Sequence, residues 1–234
     1  MVSQVKLNND YLNSISPLLF DLQNHFLQIR ALAEAKEPDP QSIDEIRLLS
    51  RHALLILDYA MFAIDAAQTE LPLTTISAAA MAKDVAEDLK RLAGAYDVDI
   101  DLDVTKQLEP VLTNEAAAKG ALYGLASSLI VIPRSSDKKI RIVIAAQETK
   151  PNTQRLGVYS PDLKVTPSAV KLSRLLAGKN ARSVAPAEVH HSGLGLMVSD
   201  QLSQALGSQL LKFTHRGNKG IGFYVPMSAQ LSIL

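Results

Sequence analysis

Phosphate binding is the first chemistry the sequence raises. Ser192-Gly193-Leu194-Gly195-Leu196 stands directly before a run from Met197 to Leu206 that reads as a helix closed by Gly207. Glycines let backbone amides approach a phosphate closely, and the N-terminus of the following helix adds the positive end of a dipole. A turn also needs glycine for its conformation alone, so other residues must decide whether a ligand is held. The adjacent His190 and His191 precede this turn and by type suit phosphate or metal contact. Neighbouring side chains point in different directions, however, and no third ligand is evident, so no metal site is expected. The chain contains no cysteine, which excludes disulfides, thiolate metal sites and cysteine nucleophiles.

The wider composition narrows the partners. With 24 basic residues balancing 24 acidic ones and no dense Lys/Arg run, neither nucleic acid nor an anionic membrane is an expected partner. The opening MVSQVKLNND lacks the charged-then-apolar pattern of a signal peptide. No apolar stretch reaches the ~18 residues that a span requires. A soluble cytoplasmic protein is expected. Its 234 residues allow two modest domains, and 47% apolar residues suffice for a core.

Two kinds of element must position these residues. Ile15, Leu19, Leu22, Phe26, Ile29 and Ala33 follow the alternating three- and four-residue steps of a heptad seam, which predicts a first helix over 15–33. Ser16-Pro17 either starts that helix or kinks one that begins near Asn9. Lys36 to Pro40 breaks the pattern, and Ser42 with Glu45 fits a capping box for a second helix. Its seam runs Ile43, Ile46, Ser50, Ala53, Leu57, Ala60, Ile64 and Ala67, widened by Leu49, Leu54, Ile56 and Met61. Two such helices form an antiparallel hairpin over residues 1–70. Its apolar faces are too wide to bury alone, so pairing with a second copy into a four-helix bundle is expected, with packing on the rest of the chain as the alternative. His52 is expected on the outer face of the second helix as an ordinary surface residue.

Glu70-Leu71-Pro72 marks a boundary, and residues 71–234 form the second domain. The order there reads strand (73–77), helix (78–95), strand (98–104), strand (109–113), helix (115–131), strand (139–147), strand (154–159), a helical region (167–178), helix (195–206), strand (208–214) and strand (220–226). Val98, Ile100, Leu102 and Val104 alternate cleanly, as do Ile140, Ile142 and Ile144, which is the mark of half-buried strands. Helices on one face of a mixed sheet make an α/β sandwich, so the fold class as a whole is α+β.

The glycine turn, its helix, Gly207 and the stretch Gly217 to Pro226 (GNKGIGFYVP) occur in this order. Together they resemble the second glycine box and closing hairpin of the histidine kinase and related ATPase superfamily. The resemblance covers the element order of 71–228. It implies a nucleotide pocket in which Gly193, Leu194, Gly195 and Leu196 face phosphate. It also implies two Asn positions on the helix over 115–131, one of them a magnesium ligand. Counted from Asn114, these fall on Gly124 and Ser128. The family's Asp-x-Gly-x-Gly, whose Asp receives the adenine amino group, aligns with Ser160-Pro161-Asp162-Leu163-Lys164. The Asp is Ser160 here and both glycines are gone. The resemblance thus implies a degenerate ATPase domain in which no cofactor is expected, or at most weak ATP and magnesium binding.

The resemblance also implies a phosphoacceptor on the first helix. In one family pattern Asn24 matches an Asn and the acceptor position is Phe20. In the other His25 is the acceptor, although Phe26 stands where an acid usually follows. Phe20 and Leu27 share the outer face, which with Asn24 suits docking of a receiver-like partner. The implied function is a two-component signalling protein with decayed ATP boxes, acting as a homodimeric scaffold for a response-regulator receiver domain or for a histidine kinase. The alternatives are an ATP-independent phosphotransferase working through His25, and a divergent kinase that still binds ATP.

Overall fold

The computed structural model describes residues 26–30, 33, 40–105, 107–131, 139–150, 152–161 and 193–228. Residues 26–30 and 33 are helical, within the predicted first helix. Then follow α1 (Pro40–Ala66), β1 (Thr74–Ile76), α2 (Ala78–Ala95), β2 (Val98–Val104), β3 (Val111–Thr113), α3 (Glu115–Ile130), β4 (Ile140–Lys150), β5 (Thr153–Ser160), α4 (Gly193–Ala205), β6 (Leu211–His215) and β7 (Asn218–Pro226). Every predicted element within the described residues is present in the predicted order. The helical region expected at 167–178 lies outside them.

β2, β4, β5, β7 and β6 form one sheet in that spatial order, and β1 pairs with β3 in a second, two-stranded sheet. β2 runs parallel to β4, and the other neighbours are antiparallel. The period-two pattern sends Ile142, Ile144, Ala146, Leu156, Val158, Ile221 and Phe223 to one face, where α2, α3 and α4 cover them. On the opposite face Val143, Ala145 and Tyr159 form a smaller cluster with Phe213. Asp103 of β2 reaches across that face to His215 Nε2 at 2.8 Å and to the Arg216 guanidinium at 2.9 Å. The two edge strands are therefore tied together over Tyr159, whose ring lies 5.1 Å from that of His215.

The ends of the helices follow from local chemistry. Ser77 caps α2 by accepting from the Ala80 amide, and Asn114 caps α3 by accepting from the Ala117 amide. α4 ends in a Schellman motif: Gly207 has φ +72°, its amide donates to the Gln204 carbonyl, and the Ser208 amide donates to the Ser203 carbonyl. α1 begins earlier than the capping-box reading has it. Pro40 is its first residue, which suits a ring with φ already set and no N–H to satisfy, so Ser42 lies inside the first turn.

The apolar face of α1 that meets the α/β domain is rotated from the predicted seam. Leu49, His52, Ala53, Ile56, Ala60, Ala63 and Ala66 are buried, whereas Ile43, Leu54 and Met61 are exposed. Ile56, Ala60, Ala63 and Ala66 belong to the same apolar core as the domain's helices and sheet. No helix among the described residues is long and apolar enough to cross a membrane.

Candidate functional site

The glycine turn and the helix over 115–131 meet in space. Gly193 opens α4. Leu194, Leu196, Met197 and Val198 are all buried and anchor α4 in the core. Gly195 then crosses α3 at Gly124. A Cβ on Gly124 would lie 2.6 Å from the Gly195 carbonyl oxygen and 2.5 Å from Ser199 Oγ. A Cβ on Gly195 would lie 2.6 Å from the Gly124 carbonyl oxygen and would overlap Ser128 Oγ. The two backbones touch because neither residue carries a side chain, and larger residues at either position would push the helices apart.

The hydroxyls at this crossing are turned back on their own helices. Ser128 is 3% exposed and donates to the Gly124 carbonyl at 2.7 Å. Ser127 donates to the same carbonyl at 3.2 Å, and Ser199 to that of Gly195 at 2.7 Å. Such bonds to the preceding turn satisfy a buried serine within the helix. Position 124 thus carries only a hydrogen atom, and position 128 a hydroxyl already engaged with its own helix. Ser160, 1% exposed, ends β5 opposite Lys219 of β7. Among the described residues no group of three His, Cys, Asp or Glu side chains is placed to hold a metal ion.

Of the other predicted site residues, Leu27 is 52% exposed and its neighbour Phe26 63% exposed. Phe20, Asn24, His25 and the pair His190-His191 lie outside the described residues.

His52 differs from its sequence reading. It is 5% exposed, and its Nδ1 lies 2.9 Å from the Tyr123 hydroxyl on α3. The face of α1 that turns inward carries Ala53, Ala60, Ala63 and Ala66, small residues that let helices approach closely, and His52 comes inward with them. Tyr59, on the same helix, packs 5.7 Å from the Tyr123 ring. Burial, reinforced by the Asp88 carboxylate, pushes the Tyr59 hydroxyl up to about 12. Burial also raises Tyr123, with Tyr59 and Asp88 adding to the shift and Arg51 opposing it. Sequence reasoning did not single out either tyrosine; the alanine spacing on α1 was the available signal.

The architecture and the glycine-turn crossing place this chain among proteins with the histidine kinase fold. Full-length ShkA, solved in complex with AMPPNP, matches with a TM-score of 0.57 at 18% identity, over 96% of this chain and 46% of ShkA. AdeS, a histidine kinase of Acinetobacter baumannii, matches with a TM-score of 0.51 at 15% identity, over 91% of this chain and 96% of AdeS. The catalytic domain of the histidine kinase ThkA matches with a TM-score of 0.51 at 13% identity, over 66% of this chain and 97% of that domain. This chain therefore spans just under half the length of ShkA and nearly all of AdeS. No protein-family profile matches the sequence. No curated protein matches it either. The likeness is one of fold: the protein is histidine-kinase-like in architecture.

Proposed function

We propose that this chain is a two-component signalling protein whose ATP site has decayed, and that it acts as a homodimeric scaffold. Its hairpin docks a response-regulator receiver domain or a histidine kinase, with Phe20, Asn24 and Leu27 on the docking face. The observation that carries the reading is the contact between Gly124 and Gly195. An Asn at 124 would need its side chain where the Gly195 carbonyl and Ser199 Oγ sit. Ser160 supplies a hydroxyl where the adenine amino group would meet a carboxylate. Each lost buried hydrogen bond to a ligand costs roughly 1–3 kcal/mol, so two weaken nucleotide binding by on the order of 10²–10⁴-fold. Calorimetric titration with Mg-ATP is expected to give a Kd of ~1 mM or weaker. A low-micromolar Kd would restore the divergent-kinase alternative and sink this one.

The exposure of Phe26 and Leu27, which follow His25 in the chain, favours a second reading. In it the phosphoryl group of a receiver aspartyl phosphate passes to the His25 imidazole, leaving the receiver carboxylate free, and no ATP is used. Labelled phosphoryl transfer from a receiver is compared between the unmodified protein and His25→Ala. Equal labelling of both removes His25 from the scheme.

A further inference from the structure

We propose that α1 and the α/β domain are locked into one rigid body, so that α1 cannot swing on the domain. The connection between them, Ala67 to Leu73, has the composition of a linker, and a free linker would make it a hinge. Three attachments from different elements prevent this.

The first is steric. Tyr59 of α1 sits in a notch left by Gly120 of α3: a Cβ there would lie 2.6 Å from Tyr59 Cδ1 and 2.8 Å from Leu202 Cδ1 on α4. Three helices therefore interlock at one point that admits no added atom. The second is polar. His52 and Tyr123 share a buried hydrogen bond at 2.9 Å, and separating the helices would break it. The third holds the linker itself. Asn114 Nδ2 donates to the Pro72 carbonyl at 2.9 Å while Asn114 Oδ1 accepts from the Ala117 amide at 3.0 Å. One side chain thus caps α3 and pins the connection to it. With Ile56, Ala60 and Ala63 inside the domain's own core, a swing would expose apolar surface as well.

A fixed joint has a consequence for any partner. The outward face of α1 and the cleft of about 950 Å³ between α1, α2 and α3, lined by Arg51, Tyr59, Arg91 and Lys119 among others, form one composite surface of constant shape.

The absence of native cysteine allows a direct test. Spin labels are placed at Gln41→Cys, at the far end of α1, and Thr214→Cys, on β6, both exposed. Labelled protein is diluted into unlabelled protein so that the intramolecular distance is read by pulsed electron resonance. A single narrow distance distribution is expected, and adding Gly120→Val is expected to broaden it at least twofold by driving Tyr59 out of its notch. A broad or two-peaked distribution in the doubly labelled protein overturns the proposal, as does an unchanged narrow one with Gly120→Val. Should Gly120→Val fail to fold, Tyr59→Ala takes its place with the same two outcomes.

Discussion

Single residues decide how closely α3 and α4 approach, and the decisive ones are glycines. Gly124→Ala adds one methyl where the Gly195 carbonyl and Ser199 Oγ stand, and overpacking of this kind costs roughly 1–3 kcal/mol. Gly94, on an exposed turn of α2, has nothing within 4 Å of its would-be Cβ. Gly94→Ala is expected to be neutral or to gain up to ~1 kcal/mol from helix propensity. Urea denaturation should show Gly124→Ala destabilised and Gly94→Ala not; a Gly124→Ala as stable as Gly94→Ala would mean that the crossing is looser than the contacts indicate. The tyrosines supply a second residue-scale prediction. Tyr59 titrates near 12 in the folded protein, against an ordinary 10.0, and Tyr123 is also raised. Between these values the unfolded chain releases protons that the native state retains, so stability falls as pH rises from about 10 to about 12. Tyr59→Phe and Tyr123→Phe are expected to flatten that decline in denaturation curves measured across the window. A decline equally steep in both variants assigns it to other groups.

At the scale of elements, the tie from β2 to the β6–β7 hairpin is the feature most exposed to test. Asp103 has a side chain 21% exposed, His215 one 10% exposed, and their pairing joins the two edge strands. Hydrogen bonds to charged groups contribute about 1.5–3 kcal/mol, whereas the Arg216 side chain, 74% exposed, adds little through solvent. Asp103→Ala is therefore expected to destabilise by ~1–3 kcal/mol and Arg216→Ala by under ~1 kcal/mol. A double-mutant cycle on Asp103 and His215 should show coupling of at least ~0.5 kcal/mol, and additivity within error would mean that the tie carries no energy. Nothing in the alternation of Asp99, Asp101 and Asp103 reveals this tie, because strand period gives a residue's face but not the curl that brings opposite edges together. The elements themselves were legible for local reasons: Gly207 closes a helix, and Ile142 and Ile144 alternate. The crossing of Gly124 and Gly195 is a long-range contact between two residues 71 positions apart, which neither local pattern nor periodicity reveals. His52 is buried because the inward face of α1 shares Ala53 and Ala60 with the predicted seam but turns toward Leu49, Ile56, Ala63 and Ala66 instead of Ile46, Leu57 and Ile64.

The whole molecule leaves α1 apolar on two sides. One side enters the α/β core. The other carries Ile43, Leu54 and Met61, which are 43%, 62% and 57% exposed, with Leu57 and Ile64 half-buried between them. From Leu54 onward the steps are 3, 4 and 3, the spacing of a helix seam that packs against other helices. Charged residues cover the outer face of a helix that lies free on a surface, and contiguous apolar exposure marks an interaction site. The proposed dimer covers this stripe with the first helix and a second copy of the hairpin. Leu54→Glu together with Met61→Glu puts two carboxylates in that seam without touching the α/β core. The double variant is expected to sediment at 25.3 kDa and the unmodified protein at twice that mass. Its circular dichroism should keep the sheet and helix bands, while its melting temperature loses the dependence on protein concentration that a dimer imposes. An unmodified protein that sediments as a monomer at micromolar concentration removes the dimer from the proposed function. It would leave the outward stripe of α1 to a partner of another kind, with the joint at Tyr59 and Gly120 presenting that stripe in one fixed orientation.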